Sequence, residues 1–313
     1  MDLNRANIEV LFQNFRIEWT DAFNAATEKT IYEQVAMVVP STGATTLHAW
    51  LNQIPIMREW LGDRVVNNVQ SNSLVITNRK FESTIEMTRE EIEDDLYGMY
   101  TPLVRLMAED AAAHPDRLLV DALVTNDNWA GDATPAPFFG TSRAYGTGTI
   151  ANYVTTALSK ATYETARITM GGYLGHKDQP LMVAPDVLLH GPANEPLAFD
   201  LLKNAQGGVA GASGTDGSAV QVSGQNRNFG TARPILSRRL VGTYANYWFL
   251  LGTQGGIRGL VYQERKAAEF QNSRLSDNSD FVFQHDKYQM GCRARGAAFK
   301  ALPHLIYAGY NAA

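Results

Sequence analysis

The sequence predicts an α+β fold, because helical and strand-like segments mix without a regular βαβ alternation. Three observations carry that expectation. Residues 58–100 read as two strands around a polar tip, followed by a strong helix start. Helical patterns are confined to four stretches, near the N-terminus and over about 88–123, 155–171 and 195–204. From Tyr247 onward the chain breaks into short apolar or alternating runs. With 313 residues, 45% hydrophobic and 10% aromatic, the chain has enough apolar material for one large domain or two closely joined ones.

The first 55 residues read as an arm. Ile8, Leu11, Phe12 and Phe15 fall at helical spacing, whereas Thr42, Gly43, Thr45 and Thr46 give its later part an extended, loop-rich character. The hairpin follows Pro55. Val65, Val66, Val69, Leu74, Val75 and Ile76 supply an outgoing strand, and Phe81, Ile85 and Met87 alternate with Glu82, Thr84 and Glu86 on the return. This places Asn78, Arg79, Lys80 and Phe81 at the tip. Roughly a dozen residues per strand reach about 40 Å, whereas a compact chain of this length has a radius of gyration of only about 20 Å. A lone two-stranded ribbon is marginal in water, so the hairpin needs a neighbouring subunit to lie on.

Thr88-Arg89-Glu90-Glu91 matches a capping box, with Thr88 and Glu91 satisfying end amides reciprocally. Glu90, Glu91, Glu93, Asp94 and Asp95 suit the positive end of the helix dipole. The pattern then runs to Leu123 as one long helix, kinked or restarted at Pro102 and Pro115. Residues 126–148 are rich in Gly, Pro, Asp and Thr and read as loop. Leu181–Ala184, between Pro180 and Pro185, has the length and apolarity of a buried strand. Residues 206–230, with Gly208, Gly211, Gly214 and Gly217 every third position, predict a mobile surface loop. Strands are expected at 247–251, 259–262, 266–270, 281–284, 290–299 and 305–307.

Chemistry is sparse. No Gly-Lys-Ser/Thr follows the glycines, as a phosphate loop requires. Ser213 lacks the final glycine of a nucleophile elbow. The six histidines show no helical metal spacing, and His285-Asp286 reads better as a strand-end turn than as an acid–base pair. Cys292 beside Arg293 and Arg295 reads as a buried structural thiol, and Arg238-Arg239 as ion-pairing surface. No catalytic, cofactor-binding or metal residues are therefore expected. The net charge of −5 excludes an overall electrostatic footprint for nucleic acid. A single cysteine fits a reducing compartment. No segment has the apolar length of a membrane span, and the N-terminus lacks the pattern of a signal peptide.

Taken in order, several segments resemble the major head subunit of Mu-like tailed bacteriophages, a branch of the Hong Kong 97-type capsid family. They are residues 7–15, Arg58–Arg64, Asn78–Glu82, Arg89–Asp95 with Tyr97-Gly98, Ala113–Asp116, Tyr262–Lys266 and Tyr288–Arg295. The resemblance implies a structural virion protein. Pentamers and hexamers of it would form an icosahedral shell around double-stranded DNA, held without sequence-specific contacts and without any membrane. It implies an N-terminal arm over residues 1–55 and an extended hairpin loop over 56–88 (its core about Gly62 to Thr88). A peripheral domain with a spine helix would occupy 89–185, and an axial domain 186–259. Peripheral strands would return over 260–300, and residues 301–313 would run back to the axial domain. The Gly-rich loop would then sit in the axial domain.

Scaffolding and portal proteins, and optionally a decoration protein, are the implied partners, with assembly in the host bacterial cytoplasm. The chain carries no long N-terminal scaffolding extension, so the scaffold is expected as a separate protein. Covalent cross-linking of Lys80 to Asn272 or Asn278 finds little support. The rival readings are an encapsulin-like protein compartment and a soluble α+β hydrolase.

Overall fold

A computed structural model describes residues 5–51, 71–94, 96–129, 136–145, 148–175, 179–208, 212–213, 219–220, 223–272 and 280–310. The N-terminal helical spacing becomes α1 (Arg5–Thr27), which buries Ile8, Leu11, Phe12, Phe15 and Trp19 along one face. A single turn, α2 (Tyr32–Val35), leads into β1 (Ala36–Pro40). Next come β2 (Thr45–Leu51), β3 (Ser71–Thr77) and β4 (Arg79–Thr88). The capped turn α3 (Arg89–Glu93) then precedes the long α4 (Tyr100–Val124).

Short pairs β5 (Asn128–Trp129) with β6 (Ala136–Pro137), and β7 (Arg143–Tyr145) with β8 (Gly148–Ile150), lead to β9 (Tyr153–Val154). Then come α5 (Lys160–Gly171), β10 (Val187–His190) and α6 (Glu195–Leu202). A ribbon follows, made of β11 (Gln206–Gly208), β12 (Ala212–Ser213), β13 (Ala219–Val220) and β14 (Ser223–Gln225). The chain continues through β15 (Arg233–Leu236), β16 (Trp248–Leu251), β17 (Leu260–Asn272), α7 (Asp280–His285), β18 (Lys287–Lys300) and β19 (Ile306–Gly309).

Two sheets organise the molecule. One has the order β1-β17-β18-β4, and the other β15-β10-β16-β19-β9. α1 and α4 cover one face of the four-stranded sheet, where Met87, Phe270, Tyr288, Met290 and Cys292 meet Ile8, Phe12, Phe15, Val104 and Met107. The five-stranded sheet is buried on both faces. Leu189, Phe249, Leu251, Ile306 and Ala308 meet Leu119 and Leu123 of α4, whereas Leu188, Trp248, Leu250 and Tyr307 meet α5 and α6. Two-sided burial explains why these strands read as unbroken apolar runs rather than alternating ones. The end of α4 is thus shared by both sheets, since Leu260 and Tyr262 of β17 join the same cluster.

The structure corrects several expectations. The hairpin is β2 against β3, Thr45↔Thr77 to Leu51↔Ser71, while β4 pairs along β18. Asn78, Arg79, Lys80 and Phe81 are therefore not a tip: they mark where the chain leaves the hairpin and joins the sheet. Alternation fixes which face of a strand is apolar but not which strand it pairs with. Val65, Val66 and Val69 lie outside the described residues.

The expected long helix is not continuous: α3 ends at Glu93, and a 3-10 turn over Leu96–Met99 leads into α4, before either proline. Pro102 falls in the first turn of α4, where amides have no intrahelical partner, and α4 runs on through Pro115. Leu181–Ala184 forms no strand. Met182 adopts a left-handed φ of 51° and is 85% exposed, and the buried strand is β10. Residues 281–284 are helical, and the segments 259–262 and 266–270 merge into β17, whose register shifts between Glu264 and Glu269. The glycine-rich stretch is a paired ribbon rather than open loop, β11 with β14 and β12 with β13. Gly208 lies in β11, and Gly211, Gly214 and Gly217 fall outside the described residues.

Candidate assembly surfaces

Asn78 ties the root of the β2–β3 hairpin to the sheet. It is 7% exposed, and its amide nitrogen donates to Ser41 Oγ and to the Gly43 carbonyl, both at 2.9 Å. Its side-chain oxygen accepts from Nε2 of the fully buried Gln263 at 2.7 Å. Ser41 also contacts Thr46 Oγ1 at 2.7 Å, and its carbonyl accepts from Arg265 at 3.0 Å. Leu74 and Ile76 of β3 then rest on Val261 and Phe299. The hairpin thus leaves the body from a fixed, fully bonded base. A polar residue between two apolar runs reads as turn in sequence, which is why this pin was read as a tip.

From that base β4 presents two unlike faces. Phe81 points inward and packs edge-on against His114, with ring centroids 4.1 Å apart, and the Arg79 guanidinium lies 5.6 Å from the Phe81 ring. Burial, then the Arg117 cation, lowers the His114 pKa to about 4, and Arg117 Nη2 lies 2.8 Å from its Nδ1. Lys80 faces the other way, directly opposite Arg295 of β18. That position puts it on the exposed face of the sheet's edge strand rather than at a hairpin tip. Asn272 ends β17, and Asn278 lies outside the described residues.

At the far end of β4 the Thr88–Glu91 capping box forms. Thr88 N–H donates to Glu91 Oε2 at 2.8 Å, and Glu91 N–H donates to Thr88 Oγ1 at 3.4 Å. Hydrogen bonds from Tyr100 and Thr88 hold the Glu91 carboxyl below the usual carboxylate range. Beyond it, Met99, Leu103 and Leu106 are exposed at helical spacing on the outer side of α4.

The residues weighed for catalysis do not converge. Ser213 lies in β12, His285 closes α7 against Phe281, and Asp286 sits in a left-handed turn at φ 52°. Cys292 is buried, and burial pushes its thiol up. Arg239 donates to the Ala113 carbonyl at 3.4 Å, while Arg238 lines a groove of about 810 Å³ between α1, α4 and β15. Among the described residues no group of three His, Cys, Asp or Glu side chains could hold a metal ion. No helix there is long and apolar enough to cross a membrane.

One buried cation escaped the sequence reading. Lys300, 9% exposed, donates to the Ala122 carbonyl and, at 2.6 Å, to the Thr125 carbonyl, capping the C-terminal end of α4. Its ammonium also lies within 6 Å of the Phe138 and Phe139 rings, and burial lowers its pKa to about 8. A lysine at the end of an alternating strand looks like a solvated terminus, so no local signal marks it.

Comparison with known proteins matches residues 8–148 and 230–312 to the family described as Mu-like prophage major head subunit gpT. Over 303 residues the chain is 25% identical to the Mu-like prophage FluMu major head subunit of Haemophilus influenzae, covering 96% of this chain and 72% of that protein. It is 31% identical over 123 residues to the major capsid protein of Escherichia phage Mu, covering 39% and 40%. Among solved structures it is similar to the procapsid of bacteriophage JBD30, with TM-score 0.52 and 24% identity over 98% of this chain and 76% of that one.

Proposed function

The chain belongs to the Mu-like prophage major head subunit family, and from that membership we propose that many copies close into an icosahedral head, as pentamers and hexamers around double-stranded DNA. It is a phage major capsid protein with the Hong Kong 97-type α+β fold, and its place is the virion capsid. The family is one of phage head subunits, which favours neither the compartment nor the hydrolase reading. Its work is mechanical: many modest contacts per subunit add up to a stable shell when the geometry allows all of them at once.

In this reading the four-stranded sheet with α1 and α4 is the peripheral domain, and the five-stranded sheet with α5 and α6 is the axial domain. The paired glycine-rich ribbon belongs to the axial part. Scaffold and portal proteins, with or without a decoration protein, complete the head, which is assembled in the host cytoplasm. An acidic average charge suits a container that must take up and release DNA.

The observation that carries the reading is the β2–β3 hairpin. It pairs with neither sheet, it is bonded to the body at its root by Asn78, and two strands alone are marginally stable in water. It is built to be completed by another copy. Negative-stain microscopy of the purified full chain should show closed shells. A variant with residues 46–76 replaced by a short Gly-Ser link should remain folded by circular dichroism yet fail to close. A full chain that stays monomeric at high concentration, or normal shells from the shortened variant, would refute the proposal.

A further inference from the structure

The free edge of β4 has the character of an unfinished interface. β4 pairs with β18 over ten consecutive residues without a register shift, unlike β17, which is irregular between Glu264 and Glu269. Among the described residues no strand pairs with its opposite edge. A long, regular edge free of proline is a template for another strand, and proteins ordinarily break or cover such edges.

Charge along this edge is unevenly placed. At its start Lys266, Arg295 and Lys80 stand in one row across β17, β18 and β4, each directly opposite the next. Like charges so placed repel. Glu269 answers Lys266 at 2.5 Å, but Lys80 takes part in none of the ion pairs found among the described residues. At the other end stand Glu86, half-exposed and shared with Lys287 and Gln289, and then the exposed Glu90 and Asp94. The strand is basic where it begins, while its far end is mixed, with Arg89 following it and Lys287 paired to Glu86.

We propose that two copies of this chain pair their β4 edges antiparallel about a two-fold axis at Ser83, joining two four-stranded sheets into one. The inference rests on the reading of the chain as a shell subunit and names one of its contacts. Both faces select the same register. On the charged face Lys80 meets Glu86 of the second copy, and Glu82 meets Thr84. On the half-buried face Phe81 meets Ile85, and Ser83 meets itself. A slip of two residues in either direction sets Glu82 against Glu82 or against Glu86, and a slip of one turns apolar residues to the wrong face. Because Lys80 and Glu86 lie equally far from Ser83, an antiparallel partner of identical sequence sets each against the other, and a two-fold contact uses the same patch twice.

Cysteine trapping tests the register. Opposed residues of an antiparallel pair have Cα atoms about 4.5–5.5 Å apart, within disulfide range. Ser83 lies opposite Cys292 in its own sheet, so the variants carry Cys292→Ser. In particles of the full chain, Ser83→Cys should convert most of the protein to a covalent dimer on oxidation, reversed by dithiothreitol, while Thr84→Cys stays monomeric. Should Ser83→Cys fail to fold, co-assembled Lys80→Cys and Glu86→Cys chains, altered at exposed positions, should give the dimer only when mixed. Closed particles with no dimer from either set, or a stronger dimer from Thr84→Cys, overturn the edge pairing and leave the shell reading standing. A full chain that forms no particles overturns both.

Discussion

Replacing the buried Asn78 with alanine should be among the most damaging single changes to this subunit. The substitution removes three hydrogen bonds of 2.7–2.9 Å, two donated by the amide and one accepted from Gln263. Each contributes about 1 kcal/mol net, and depriving the fully buried Gln263 of its acceptor costs about 1–3 kcal/mol more. The expected loss is about 4–6 kcal/mol, a large share of the 5–15 kcal/mol typical of a folded domain. With a urea m-value of about 3 kcal/mol/M, the unfolding midpoint followed by tryptophan fluorescence should fall by about 1.3–2 M. Combining Asn78→Ala with Gln263→Ala should cost less than the sum of the two, because both remove the same bond. A midpoint shift below about 0.2 M for Asn78→Ala would show that the hairpin root is not held as described.

Lys300 gives a pH-dependent outcome. In the unfolded chain its ammonium persists to about pH 10.4, whereas burial lets the folded protein release the proton near pH 8. The unfolded state therefore binds more protons between those values, and this group's contribution to stability rises across the window and is lost as pH falls through 8. Unfolding at pH 7.5 and 10 should reveal about 3 kcal/mol of such dependence that Lys300→Met abolishes; identical profiles for the two proteins would contradict it. Gly309 admits no side chain, since a Cβ there would stand 2.1 Å from the indole of the fully buried Trp248. Gly309→Ala should cost at least about 1–3 kcal/mol, and an unchanged melting temperature would argue against this packing.

Much of the architecture could be read from sequence because local chemistry determined it. The reciprocal cap at Thr88 and Glu91, the buried face of α1 and the apolar run of β16 depend on neighbours a few residues away or on simple burial. What escaped was set by tertiary partners. Phe81, Ile85 and Met87 announce one apolar face, yet only the core beneath α1 decides that β18 rather than β3 lies alongside. Phe281–Gln284 has the aromatic and β-branched content of a strand, but it forms the single turn between β17 and β18 as helix. Leu181–Ala184 is as apolar as β10, but flanking prolines deprive it of ladder donors. Buried polar residues such as Asn78 and Lys300 look like surface until their acceptors, contributed from distant segments, are known.

The position of β19 has a consequence for folding. Residues 306–309 insert between β16 and β9, and Ile306, Ala308 and Tyr310 fill the cluster that also holds the end of α4. Partners separated by more than 150 residues must meet before that cluster closes, so the centre of the molecule is completed only by contacts of long sequence separation.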